Sequence, residues 1–235
     1  MAGYVMKEFL VDLLGKPEGI VIFQLLDATQ FTIYLSAIAF LGGGAIALVL
    51  AFMATIKNRF CRFFAMVYIW FFQSTPLLML LFLFGLGVPR LVGADVNIWL
   101  AASSALILYA SAYIGEVWRG ALKSIPESQW EAGAAVGLKF LPIFFLVILP
   151  QAVRISIAPT VGFMVQIIKG TSLAYIIGFH DLMAIGKRWA NAPVNGTEPY
   201  IIFPIMALIY FSLCFPLSKI SKWFEKRASL DKLNA

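Results

Sequence analysis

Lys169 stands in an apolar run beside Gln166, Thr171 and Ser172. A cation there is costly unless it has a partner or a task. Pro159 stands earlier in the same run, and polar groups on helices interrupted by proline or glycine are what solute sites in transporters are built from. The plainer alternative is a lysine that snorkels to an interface or pairs with a helix C-terminus, and the residues leave both open. Gly42-Gly43-Gly44 admits the same two uses, with close helix packing the simpler one. Glu116 and Arg119 are spaced for an i,i+3 ion pair; the sharper alternative is an inner gate. Covalent chemistry has no candidates. His180 and Asp181 are sequence neighbours without the third group of a triad, and they read as surface or contact residues. With 1 His and 2 Cys the chain makes no metal site, and a membrane-embedded enzyme needs more acid–base groups than these.

The elements that must position these residues are transmembrane. The chain is 61% hydrophobic and 13% charged, with 21 Phe and 6 Trp, and its mean hydropathy is +0.89. Soluble domains are about half apolar and a quarter charged. Crossing a bilayer takes about 20 helical residues, and five segments suffice: about 28–56, 63–86, 96–115, 155–179 and 200–217. Lipid offers backbone groups no partners, so all five must be helices. A further apolar run, Phe140–Pro150, is too short to span and reads as an interfacial or buried helix. The expected layout is an outer segment over 1–27, one transmembrane domain over 28–218 and a basic tail over 219–235.

Charge sets the orientation. Lys57, Arg59 and Arg62 follow the first span; Arg119, Lys123, Lys139 and Arg154 follow the third; Lys219, Lys222, Lys226, Arg227 and Lys232 follow the fifth. The opposite side has Arg90, Lys187, Arg188, Lys7 and Lys16. This positive-inside bias puts the N-terminus outside and the C-terminus inside. The net charge of +6 is therefore topological, without the aromatic-interleaved patch of a nucleic-acid binder. Cys61 and Cys214 fall at cytoplasmic helix ends, where thiols stay reduced. No cleavable signal peptide is expected, because charges interrupt the first 27 residues. Asn195-Gly196-Thr197 matches a glycosylation sequon, which carries little weight alone.

The loop over 116–152 is long for a compact bundle. Within it Glu131-Ala132-Gly133-Ala134-Ala135 reads as a short helix with a carboxylate in its first turn, favourable with the macrodipole, and Gly137 reads as its C′ stop. A helix with such small side chains either lies in a groove of another protein or is a solvated loop helix. The spacing of Glu131-Ala132, Gly137 and Ile148-Leu149-Pro150-Gln151-Ala152 resembles the EAA loop of ATP-binding-cassette (ABC) importer permeases. Phe31–Leu48 looks like that family's first core helix. Tyr68–Gly87, Ser111–Ala132 and Lys169-Gly170-Thr171-Ser172-Leu173 resemble further family elements, and together the matches cover about 28–215. They point to the polar amino-acid branch, the histidine/glutamine/arginine permeases.

The resemblance implies an all-α integral membrane protein of five transmembrane helices, N-out and C-in, with a cytoplasmic coupling helix between spans 3 and 4. Glu131, Ala132, Gly133, Gly137, Leu149 and Pro150 would contact the ATPase. Two ATP-binding subunits, a second permease (identical or homologous) and an extracytoplasmic amino-acid-binding protein are the implied partners, in a bacterial inner membrane. The chain itself would bind no cofactor, with ATP and Mg held by the partner ATPase. The mechanism is alternating access. An amino acid needs partners for its ammonium and carboxylate, and Gln73, Ser74 and Thr75 with Gln166, Lys169, Thr171 and Ser172 are the expected path residues. Gly133 departs from the family's alanine, which lowers helix propensity by about 1 kcal/mol. Ala134 and Gln73 replace basic residues. The alternatives are a permease for an amino-acid derivative or other small polar solute, and an ion-coupled carrier, which usually has acidic mid-membrane ligands.

Overall fold

The computed structural model describes residues 2–233 apart from Lys57, Ala94, Pro193 and Asn195. Lys57 of the first basic set and Asn195 of the sequon thus lie outside the described residues. Every regular element among those residues is helical: α1 Ala2–Leu14, α2 Glu18–Thr55, α3 Arg59–Ser74, α4 Leu77–Phe82, α5 Val88–Val92, α6 Ile98–Lys123, α7 Glu127–Ala135, α8 Phe140–Ile143, α9 Leu149–Thr171, α10 Leu182–Ala190 and α11 Pro199–Leu233. Four stretches are long and apolar enough to cross a membrane: Glu18–Thr55, Ile98–Lys123, Phe140–Ile177 and Pro199–Arg227. A fifth is reached only by counting Arg59–Ser74 and Leu77–Val92 as one broken span. The break falls at Pro76, which disfavours helical geometry at Thr75. Thr75 instead caps α3, its Oγ1 and N–H both donating to Phe71 O, at 2.8 and 3.1 Å.

Three expected boundaries move. The first span starts at Glu18 instead of Ala28, because the polar residues ahead of Ala28 find partners. Gln24 Oε1 accepts from Trp189 Nε1 at 2.9 Å, and Gln30 Nε2 donates to Asp27 at 3.0 Å. The loop expected over 116–152 is mostly helical, with α6 running to Lys123 and α7 and α8 following. The run Phe140–Pro150 is not a separate piece. It continues through a π turn, Phe144–Ile148, into α9. Proline removes one helical hydrogen bond and crowds the preceding turn, and a π turn just ahead of Pro150 absorbs that change of register. The same arrangement recurs at Leu83–Gly87, where a π turn precedes Pro89.

The helices contribute to two compact units. One unit comprises Met1–Ala39, Leu77–Leu106 and Ile167–Phe215. Its core joins Val21 and Leu25 of α2 to Leu182 and Ala190 of α10 and to Ile202 and Met206 of α11. The other comprises Phe40–Pro76, Ile107–Gln166 and Pro216–Ala235. Its core joins Ala51 to Ala121, Leu122 and Ile125 and to Ile143, Phe144, Ile148 and Ala152. Lipid tails give apolar side chains little reason to prefer one another, so close backbone approach has to hold such helices together. Gly43 supplies it. A methyl at that position would lie 2.6 Å from Ala110 Cβ, and one at Gly42 2.8 Å from Ile107 Cδ1. The glycine triplet is a packing device between α2 and α6.

Candidate functional site

Helix α7 begins earlier than the sequence reading places it. Pro126 holds the N-cap position in extended backbone (φ −57, ψ 144), and Glu127 occupies the first turn. The favourable interaction with the helix dipole therefore belongs to Glu127, and Glu131 sits one turn further on. The end is a Schellman closure. Gly137 adopts φ 83, its N–H donates to Ala134 O at 3.0 Å, and the Leu138 N–H donates to Gly133 O at 3.1 Å.

Three contacts fix α7 to the helix that follows. Trp130 stacks on Phe140 with centroids 5.5 Å apart, and Phe140 in turn on Phe144 at 6.3 Å. Gln151 Nε2 donates to Val147 O at 2.9 Å and to Gln129 Oε1 at 3.4 Å. Gly133 is buried against Ile143, whose Cγ1 would lie 2.9 Å from an added methyl, so the departure from alanine has a steric cause. Leu149 packs on the same core and Pro150 is exposed. What remains uncovered is a surface of small side chains carrying one carboxylate: Glu131, Ala132, Ala134 and Ala135.

The expected path residues fall into two groups. In the unit containing α3, Tyr113 Oη donates to Gln73 O at 3.4 Å, and the Tyr113 ring stacks on Phe163 of α9 with centroids 5.2 Å apart. Ser74 and Gln166 are exposed there, whereas the Thr75 hydroxyl is committed to its cap. The other unit contains Lys169, Thr171 and Ser172. Lys169 is exposed. Thr171 is fully buried, with Oγ1 donating to Ile168 O at 2.8 Å, and Ser172 Oγ donates to Lys169 O at 2.6 Å. Uncovered polar side chains are thus offered by Ser74, Gln166 and Lys169, while the threonines bond back onto their own helices. Glu116 and Arg119 form a two-pronged ion pair with Nε to Oε2 at 2.8 Å, both side chains partly exposed.

Asp181 corrects the surface reading. It is wholly buried and caps α10, Oδ1 accepting from the Ala184 N–H at 3.0 Å. Its Oδ2 has no hydrogen-bond partner among the described residues, and Tyr210 Oη faces it from α11 without reaching bonding geometry. Burial raises the carboxyl to about 6, against the opposing pull of backbone N–H groups. The next residue's N–H, on Leu182, donates to Thr32 Oγ1 at 3.3 Å. The signal was legible: an aspartate directly before Leu182-Met183-Ala184 is an N-cap pattern. His180 is exposed, as expected.

Comparison with known proteins agrees with this architecture. Residues 43–230 match the family described as binding-protein-dependent transport system inner membrane component. The chain is 34% identical over 171 residues to the inner membrane amino-acid ABC transporter permease protein YhdY of Escherichia coli, covering 71% of this chain and 46% of that one. It is 34% identical to the L-cystine transport system permease protein TcyB of Bacillus subtilis, over 84% of this chain and 83% of the relative. The putative glutamine transport system permease protein GlnP of Rickettsia conorii is 31% identical over 94% and 98%. Among solved structures, an amino acid ABC transporter with histidines superposes with TM-score 0.79 at 25% identity, covering 87% of this chain and 94% of that chain. The MetNI methionine ABC transporter, at 19% identity and TM-score 0.71, shares the fold. The family match, the relatives and the apolar helices place the chain as a multi-pass inner-membrane protein of the ABC permease class, and it belongs to the inner-membrane component family of binding-protein-dependent transport systems.

Proposed function

We propose that this chain is the permease subunit of an importer for a polar amino acid, working by alternating access, with ATP and Mg on partner ATPase subunits. The observation that carries the reading is α7: a small-sided surface around Glu131 that the chain leaves uncovered, on a base held by Trp130, Gly133 and the Gly137 closure. A helix without bulk is suited to seat in a groove of another protein, and a rigid base is what lets a push on it travel into α8 and α9. In this reading α7 lies on the cytoplasmic side, the N-terminus outside and the C-terminus inside. The segment over 1–27 is extracytoplasmic, 28–218 forms the transmembrane domain and 219–235 is a cytoplasmic tail.

A second permease, identical or homologous, completes the path, two ATPases dock on the pair, and an extracytoplasmic binding protein delivers cargo. Ser74, Gln166 and Lys169 are the path residues best placed to meet the ammonium and carboxylate of an amino acid, and the Glu116–Arg119 pair fastens the inner end of α6. The test is uptake of labelled amino acids into vesicles containing the assembled complex. Glu131→Ala and Ala134→Trp, the second adding bulk to the docking face, should abolish ATP-driven uptake and weaken ATPase capture while leaving the permease folded. Undiminished uptake in both would sink the assignment.

A further inference from the structure

Helix α10 presents a small cavity of about 200 Å3 bounded by Tyr175, Gly178, Phe179, His180, Ile185 and Arg188. Sites for whole small molecules run from about 300 to 1,000 Å3, so this one is sized for a single side chain. We propose that it is a socket for a carboxylate side chain of the extracytoplasmic binding protein, with Arg188 as the charged partner; this rests on the function proposed above.

Charge carries the argument. Arg188 is exposed and makes no ion pair among the described residues. Lys187 lies against the cavity wall, Nζ donating to Tyr175 Oη at 3.0 Å and resting 4.4 Å from that ring's centroid. The nearest acid in sequence, Asp181, is turned inward as the α10 cap and is fully buried, so it is not available to pair with Arg188. The cavity is thus a cationic, partly apolar socket with no carboxylate among its lining residues. A guanidinium fork matches a carboxylate in two-bond geometry, the His180 imidazole adds a rim group, and Phe179 and Ile185 suit the methylenes of an aspartate or glutamate.

The platform is also rigid. Leu182, Gly186 and Ala190 are buried, and a methyl on Gly186 would overlap Met206 of α11. Trp189 Nε1 donates to Gln24 Oε1 of α2 at 2.9 Å. A preformed partner surface spends little on ordering when it binds.

The test uses the assembled complex in vesicles, with the binding protein that supports uptake through the wild-type complex. Its association is followed at increasing salt. Arg188→Glu should slow association about tenfold or more at low salt and flatten the salt dependence. Arg188→Lys should retain most of the rate, and Ala184→Trp, which fills the cavity without changing charge, should speed dissociation. An acid-to-lysine change on the binding protein that restores Arg188→Glu identifies the mate. Equal association of wild type and Arg188→Glu at every salt concentration overturns the socket. So does a loss that appears only in vesicles containing phosphatidylglycerol and not in pure phosphatidylcholine, because the ligand is then a lipid phosphate. If the wild-type complex takes up amino acid without any binding protein, the importer reading itself fails, a result distinguishable from either of these.

Discussion

Gly137 isolates the coupling geometry from everything else in the chain. Its φ of 83 lies in the left-handed region, and nothing comes within 4 Å of where a Cβ would sit. Substitution there changes backbone energy alone, with no clash and no lost side-chain contact. Alanine in that conformation costs about 1–2 kcal/mol, a factor of about 5–30 in the local equilibrium between closed and open α7. Asparagine tolerates the region far better. Proline is fixed near φ −65 and has no N–H, so it both forbids the conformation and removes the 3.0 Å bond to Ala134 O. Hydrogen exchange over 127–139 and capture of the ATPase by the permease should therefore fall in the order wild type, Asn, Ala, Pro. The reasoning fails if Asn and Ala behave alike, since the cost would then not be conformational. Proline docking as well as glycine would remove the closure from the mechanism altogether.

Three further outcomes follow from the packing and charges. Gly43→Ala places a methyl 2.6 Å from Ala110 Cβ and 3.0 Å from the Ser111 backbone nitrogen, atoms that cannot rotate away. It should cost about 1–3 kcal/mol, read as a lower heat-unfolding midpoint, while Gly44→Ala, with its nearest atom at 3.9 Å, should be nearly neutral. Asp181 titrates near 6 against 3.8 for a free carboxyl, so its contribution to stability is complete below about 3.8 and is lost as pH rises through about 6. Asp181→Asn keeps an oxygen for the cap, and its unfolding midpoint should gain on the wild type across that window and level off above it; a constant difference would reject a buried ionisation. Glu116→Gln breaks a pair that is 23% and 35% exposed, so the stability loss should stay within about 1 kcal/mol and shrink with salt. A large drop in uptake without one would mark the pair as a gate.

The sequence made the membrane class, most spans and the Gly137 stop legible because each rests on a local signal: an apolar run, or a glycine after a helical stretch. Boundaries set by tertiary partners were not. The helical continuation ahead of Ala28 depends on Gln24 meeting Trp189 far along the chain. The start of α7 was in fact readable, since proline at a helix entrance ahead of Glu127 is a common pattern, but the family motif drew attention to Glu131. Asp181 was misplaced for a similar reason: beside His180 it looked like half of an exposed polar pair, and only the packing of α10 on α2 and α11 buries it. Of the path residues, sequence marks polarity but not direction. It does not distinguish Thr171, whose hydroxyl bonds its own helix, from Lys169, which is uncovered.

The π turn over Phe144–Ile148 works as an angular adjustment between α8 and α9. A helix advances about 100° per residue, so one residue accommodated in the wide turn sets the azimuth of all that follows. Deleting a single residue from 144–148 would let the segment relax to ordinary α geometry and swing the face bearing Gln166 and Lys169 by about that angle relative to the Trp130 anchor. The hand that receives the ATPase and the face offered to the solute would then be out of phase, with every side chain still present.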